Sequence, residues 1–379
     1  MRVVVIGGGI SGVFIAYELL NRGVRDITIV DSSYPGCGAT FRNMGCFRSS
    51  FTSVEHVILM KKSIEEWIKL SRKLGFKLKQ NGYLWVARRD ETVETFKKLA
   101  SFHNQYGVPS RVLEPSEVKS VEPKLNINII SGAMFDPTAG RMDILEVFTK
   151  LYLELRKRGV KFLNYTKAEK LISDSEKIRS VKTSRGILEA DVFIVAAAEG
   201  SREILSSIGV RLPIDPMPRH PIVTEPYSEV IKPALIIDWD TPGSPHITQT
   251  EHGSLILARD IADSPGLPLN SHRFDAFHLV IKPLYELLPF LSLVNIERYW
   301  MGYYDMTPDH HPIYGPVEPY SNLYVATGFS GHGMMMAPAT GIIIADWVLE
   351  GKPRISIANN LTLTRFKEGK LVKELAVVG

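Results

Sequence analysis

The sequence predicts a mixed α/β protein in which a parallel sheet forms one domain and a second domain is interleaved with it. Three observations carry this expectation. Arg2–Ile6 reads as a continuous β-branched run, the pattern of a strand buried on both faces of a parallel sheet. Residues 10–22 follow with helical character, stopped by Gly23, and residues 27–31 form a second buried strand, so a strand-helix-strand unit opens at the first residue. At 379 residues the chain exceeds one small core and suits two domains of roughly 100–200 residues each.

Further along, a loop rich in Gly and Ser spans residues 36–50, and Val54–Leu74 carries apolar residues at helical spacing. Residues 76–80 and Tyr83–Ala87 are expected to form a hairpin turning at Asn81-Gly82. Helices fit residues 91–106 and 143–158, and short strands around turns fill residues 160–198, ending in the buried strand 192–197. Eight prolines within residues 213–245 favour extended strands and turns and mark a crossing between domains. A strand at 255–258 and a helix at 273–288 follow. Last, a strand at 323–326 runs into Gly328–Gly333 and a long helix to about Leu349.

Composition excludes several classes. Hydrophobic residues make up 45% and charged residues 23%, enough to bury two cores. The net charge of +4 comes from 45 basic and 41 acidic residues with no long block of one sign, so no nucleic-acid or membrane-surface footprint is expected. Cys37 and Cys46 lack CxxC or Cys/His companions, which argues against zinc or iron–sulfur ligation and fits a reducing, cytoplasmic setting. The apolar stretch from Val3 to Leu20 is interrupted by glycines and Glu18, so no transmembrane segment or signal peptide is read there.

Gly7, Gly9 and Gly12 form GxGxxG between a strand and a helix that begins at Ile10 and Ser11. The first glycine allows the tight turn, the second lets backbone approach a pyrophosphate, and the third lets helix and strand pack closely. Asp31 ends the next strand, where its carboxylate can accept from ribose hydroxyls. This Rossmann-like motif does not separate FAD from NAD. The second turn, Gly328–Gly333, aims another helix start at the ligand, as a flavin ring gathering negative charge requires and a nicotinamide does not.

With these turns, the loop from Gly38 to Asn43, the segment WMGYYDMTPDHHP from Trp300 and the segment GFSGHGMMMAP from Gly328 resemble the D-amino-acid oxidase superfamily of flavoproteins, in the branch of dye-linked L-proline dehydrogenase β subunits and sarcosine oxidase. The resemblance implies an FAD-binding domain of the p-hydroxybenzoate-hydroxylase type from residues 1–78, 138–212 and 305–379, and an inserted antiparallel-sheet substrate domain from residues 79–137 and 213–304. It implies FAD contacts from Ser32, Thr40, Arg42, Asn43 and Gly45, from Ala168, Ala197 and Ala198, and from Gly302, Gly328, Gly331, His332, Gly333, Met334 and Met335. Gly302 stands where sarcosine oxidases link flavin to cysteine, so non-covalent FAD is expected. Met335 replaces a substrate-holding lysine, and Ser254, Leu255 and Ile256 supply no oxygen-activating lysine, which disfavours an oxidase.

The implied activity is oxidation of the C–N bond of a secondary amino acid, L-proline or sarcosine-like, with electrons passed to a quinone, a dye or a partner flavoprotein subunit in a hetero-oligomer. The alternatives are a glycine, sarcosine or D-amino-acid oxidase releasing peroxide, an electron-relay subunit, and, more distantly, a nicotinamide dehydrogenase. Arg48 matches the family's carboxylate-binding arginine, with Arg42 as competitor; a buried carboxylate needs such a bidentate partner. His332, His220, His246 and Tyr303 are candidates for shaping the substrate pocket, with Trp300 as a wall. His310 and His311 lack ligand spacing, so no metal is read there, and the run Met334–Met335–Met336 is read as packing.

Overall fold

Arg2–Ile6 is the central strand of a six-stranded sheet, pairing in parallel with Asp26–Val30 on one side and Val192–Val195 on the other. Lys161–Leu163 extends the sheet beyond the former, Leu323–Thr327 beyond the latter, both in parallel, and Ile313–Pro316 closes that edge antiparallel. Val3, Val4, Val5 and Ile6 are buried on both faces, as the unbroken β-branched run anticipates. This computed structural model describes residues 1–271, 273–372 and 374–377.

Two helices, Ile10–Asn21 and Gly333–Glu350, lie against each other over one face of the sheet. Both are apolar nearly all round, which is the composition of a helix surrounded by protein. Gly341 makes the crossing close: a Cβ there would stand 2.6 Å from the Phe14 carbonyl oxygen. Gly333–Glu350 is the one helix among the described residues long and apolar enough to cross a bilayer, and 67% of it is buried inside the molecule. The helix Val54–Leu74 has the expected bounds because its ends are chemically marked: the Ser53 hydroxyl accepts from the His56 N–H, and Gly75 closes it at φ 70°. Its Trp67 packs edge-on against Phe14 and donates to the Met335 carbonyl at 3.2 Å, joining three helices.

The second large sheet has eight strands, in the order Ile296–Tyr299, Ile222–Pro226, Ser254–Ala258, His246–Gln249, Leu235–Asp238, Tyr83–Ala87, Gly132–Asp136 and Arg111–Leu113. Neighbours are antiparallel except Leu235–Asp238 with Tyr83–Ala87, which run parallel. The expected hairpin at Asn81-Gly82 does not form. Leu78–Lys79 pairs with Gly140–Met142, while Tyr83–Ala87 enters the large sheet between two other strands. The reason is burial: all five residues of Tyr83–Ala87 are inaccessible, and a two-stranded ribbon leaves such a strand exposed. The proline-rich segment does give extended structure, with Asp215–Arg219 pairing antiparallel to Gly302–Met306 as a bridge between the two sheets.

Gly341→Ala is expected to force the two helices apart and cost about 1–3 kcal/mol. A denaturant melt shows it as a lower midpoint at unchanged slope, and an unchanged midpoint would mean the crossing relaxes freely.

Candidate active site

A cavity of about 490 Å³ reaches from the first glycine turn to the last one. At its N-terminal end the three glycines do different things. Gly7 has φ 114°, and a Cβ there would sit 2.2 Å from the Ala196 carbonyl oxygen; one at Gly12 would sit 2.0 Å from the Gly7 carbonyl oxygen. Those two serve packing. A Cβ at Gly9 would meet only Thr40 Oγ1, at 3.2 Å, so the bare face of Gly9 is turned to the cavity. The helix Ile10–Asn21 starts here without acidic residues in its first turn, a favourable seat for a pyrophosphate. Asp31 accepts from the Gly8 N–H at 2.7 Å and from the Ser33 N–H at 2.8 Å, which fixes its carboxylate at the cavity edge.

Most residues singled out from the sequence border this space. Ile10, Ser11, Asp31 and Ser32 line one end, and Thr40, Arg42 and Asn43 come from the loop. Ala168, Ala197 and Ala198 follow, then Gly302, Tyr303 and His246, and finally Gly331, Gly333, Met334 and Met335. Met334 and Met335 therefore border the cavity as well as pack, while Met336 is core only. The helix Gly333–Glu350 also begins without an acidic first turn, so two helix N-termini face one ligand space. A Cβ at Gly302 would meet the Arg42 side chain at 3.4 Å, and Arg42 itself donates to the carbonyls of Cys37 and Gly38, bracing the loop.

Others lie off the wall. Gly12 is packing; Gly45 has φ 72° with Met142 O 2.1 Å from its missing Cβ; Gly328 donates to Asp305 Oδ2 at 2.7 Å. His220 lies outside the cavity, between Tyr299 OH at 2.5 Å and Asp263 Oδ2 at 2.9 Å. Arg48 is fully buried one layer behind the wall, its guanidinium 3.6 Å from the centre of the Phe51 ring and 4.9 Å from that of Trp85. It donates to Ser50 O at 2.8 Å and Ala376 O at 2.6 Å, and the next residue, Val377, lines the cavity. Burial lowers the Arg48 pKa to about 10, which leaves it a cation at neutral pH. His332, between the wall residues Gly331 and Gly333, is buried edge-on to Phe51 and His56, and neither ring nitrogen has a hydrogen-bond partner among the described residues. Desolvation keeps it neutral.

His246 is better defined. Its Nδ1 lies 2.9 Å from the Ser244 carbonyl, which can only accept, so Nδ1 carries the proton and Nε2 keeps a lone pair. Burial lowers its pKa to about 4. Tyr303 donates to Leu267 O at 2.6 Å.

Among the wall residues that sequence reasoning missed are Arg219, Tyr304 and Asp305. Arg219 stacks over the Tyr304 ring at 4.6 Å and pairs with Asp260 at 3.1 Å. Tyr304 lies so close to Gly331 that a Cβ there would stand 2.4 Å from its ring. Asp305 is buried, and its Oδ2 anchors the last glycine turn. The available signal was strand alternation: of the neighbours Arg219 and His220, extended backbone sends only one to a given side.

Desolvation raises Asp305 to about 6, with the Gly328 N–H pulling the other way. The folded state thus holds this proton more tightly than the unfolded chain, and stability falls as pH rises from about 4 to 6. Asp305→Asn keeps the acceptor without the charge, so it is expected to be about 1–3 kcal/mol more stable than the parent above pH ~7, with the gap closing below pH ~4. Denaturant melts across that range test this, and a gap independent of pH would refute it.

Residues 2–347 match the family model DAO, FAD dependent oxidoreductase. The chain is 27% identical over 383 residues to the sarcosine oxidase subunit beta of an Arthrobacter species, covering 98% of this chain and 92% of that one. The crystal structure of L-proline dehydrogenase from P. horikoshii superposes with a TM-score of 0.93 at 34% identity over 98% of each chain. Glycine oxidase from Geobacillus kaustophilus, at 22% identity, a TM-score of 0.87 and coverage of 96% of this chain and 98% of that one, shows likeness of fold. Two glycine turns on one cavity and a family match across nearly the whole length agree: the chain belongs to the DAO family of FAD-dependent oxidoreductases, and its cofactor is FAD.

Proposed function

We propose that the chain is a dehydrogenase that oxidises the C–N bond of a secondary amino acid, L-proline or a sarcosine-like amine, to an imine and passes the electrons to an acceptor other than oxygen. The observation that supports this most is the make-up of one cavity: glycine turns fit for the cofactor, and beyond them His246, Tyr303 and Tyr304 with a cation close behind. The chemistry that FAD would supply here, when bound, is acceptance of a hydride from the carbon bearing the amine. The side chains bind and orient. Neutral His246 offers Nε2 to the amine N–H, which orients the nitrogen so that its lone pair, once the amine is deprotonated, is free to form the C=N bond. Tyr303 and Tyr304 wall the space and exclude water.

For the substrate carboxylate we take Arg48, the match to the family's carboxylate-binding arginine, exchanging the Ala376 carbonyl for the carboxylate, with Arg219, which pairs with Asp260, as the competitor on the wall. Gly302 offers no side chain for a covalent link, and burial raises the Cys46 thiol, making it a poor nucleophile, which supports FAD held without a bond, with Cys37 the other thiol on the wall. The strand Ser254–Ala258 places no cation at its start, in keeping with an acceptor other than oxygen. Arg219 and Arg259 on the wall are what favour the second reading, an oxidase. The Arthrobacter relative is a β subunit, which supports electron transfer to a partner subunit in a hetero-oligomer. A reducing, cytoplasmic setting remains part of this proposal.

Anaerobic bleaching of the flavin by a panel of amino acids tests the reaction, with L-proline and sarcosine expected to bleach it; failure of every secondary amino acid would sink the proposal. In air, peroxide stoichiometric with substrate would convert it to the oxidase reading. Arg48→Ala is expected to raise the substrate concentration for half-bleaching roughly 10–100-fold, the size of a lost charged hydrogen bond. If Arg219→Ala does this and Arg48→Ala does not, the carboxylate partner is Arg219.

A pKa of about 4 leaves His246 neutral throughout the physiological range. Stopped-flow flavin reduction between about pH 5.5 and 9 should therefore show an inflection that follows the amine of each substrate and none from this imidazole. An inflection near pH 6.5 that vanishes in His246→Gln would contradict that.

A further inference from the structure

Behind Arg48, four buried polar side chains from distant parts of the sequence meet. Ser53 caps the helix Val54–Leu74, His56 lies in its first turn, His311 belongs to the TPDHHP segment, and Glu374 lies far along the chain; all four are buried. Ser53 Oγ stands 2.7 Å from Glu374 Oε2, 2.9 Å from His311 Nε2 and 3.2 Å from His56 Nδ1. His56 Nδ1 is 3.7 Å from Glu374 Oε2, and the donor atoms of His56, His311 and Glu374 all lie within 4.8 Å of one another. Four donors bound tetrahedrally to a zinc-sized ion are about 3.4 Å apart, given ligand distances of about 2.0–2.2 Å. The cage is already close to that size.

With His311 neutral, the protons at this cluster come out one short. His311 Nδ1 lies 2.9 Å from the Asp309 carbonyl oxygen, so it holds the ring proton and Nε2 presents a lone pair to Ser53. The Ser53 hydroxyl has one hydrogen and faces two acceptors, His311 Nε2 and Glu374 Oε2, so one close contact lacks a proton. A carbonyl fixing Nδ1–H while Nε2 faces inward is also how metal-binding imidazoles are oriented. The shell outside is built: Asp309 is clamped by Arg365 at 2.8 and 2.9 Å, and Glu374 accepts from the Thr52 N–H at 2.9 Å and from the Ala376 N–H at 2.9 Å. On His56, Nε2 has no hydrogen-bond partner among the described residues, so the ring's polar contact is through Nδ1, toward the cage.

We propose that His56, His311, Glu374 and the Ser53 hydroxyl form a structural site for a zinc-class divalent cation. Two imidazoles, a carboxylate and a hydroxyl suit zinc better than calcium or magnesium, which prefer all-oxygen shells. The ion takes up the lone pair for which the protons are one short. It also ties Glu374, two residues before the Ala376 carbonyl that Arg48 contacts, to the helix whose cap lies five residues after Arg48. The site's role is to hold the arginine's surroundings in place, and it does not depend on which amine is oxidised.

The test uses the full chain with flavin bound and no affinity tag, incubated with Zn2+, desalted, and analysed by mass spectrometry for metal. About one zinc per chain is expected, held against a chromophoric chelator of micromolar affinity. Removing it with a stronger chelator should lower Tm while the flavin stays bound. His311→Ala and Glu374→Gln should both lose the metal, and His252→Ala, an exposed histidine elsewhere, should keep it. Wild-type protein that retains well under one equivalent overturns the proposal whatever the variants do, and so does zinc retained in full by His311→Ala. Either result would assign the extra positive charge to a proton on His311.

Discussion

The closeness of two apolar helices is the constraint on which the rest of this molecule depends. Helix Ile10–Asn21 lies on helix Gly333–Glu350 only because Gly341 presents no side chain to the Phe14 carbonyl, and its start lies close to the sheet only because Gly12 presents none to Gly7. A ridge of ordinary side chains would set the axes about 8–10 Å apart or more. That approach brings two helix N-termini to one cavity although they are more than three hundred residues apart in sequence. Two partial positive charges then face the same ligand, one suited to a diphosphate and the other to the ring that gathers charge on reduction.

Features encoded by neighbours in sequence were legible. Val54–Leu74 carries its own start and stop in Ser53 and Gly75, and the first glycine turn carries its own acid in Asp31. The GFSGHG turn gave the cofactor because glycine density at a strand-helix junction has few other uses. Where the outcome turned on distant partners, local signals misled. Asn81-Gly82 has the chemistry of a hairpin, yet the apolar strand after it is satisfied only between two strands from elsewhere. The sequence reading chose His220 over its neighbour Arg219, because a histidine attracts a chemical reading and alternation alone does not say which side faces the cavity.

Distance in sequence also hid the polar cluster behind the wall. His310 and His311 look unsuited to a ligand set because ligand spacing is judged along the chain, while the partners of His311 lie about 255 residues before it and 63 after it. Arg48 was legible through its match to the family's carboxylate-binding arginine, but its sandwich between Phe51 and Trp85 was not, since Trp85 belongs to the eight-stranded sheet. Such an arginine is held by packing as much as by charge.

The six-stranded sheet has a consequence for how the protein is made. Of this sheet's strands the central one is made before the others, yet one of its partners is Val192–Val195, whose own neighbour is Leu323–Thr327. On a ribosome that strand therefore waits, one edge unsatisfied, until residues 192–195 appear, and the sheet is complete only after residue 327 has emerged. Non-local pairing of this kind slows folding and leaves sticky edges exposed in the interval. Nascent chains of this protein should thus lean on holdase chaperones, and a cofactor that bridges the two glycine turns can be captured only after both have emerged.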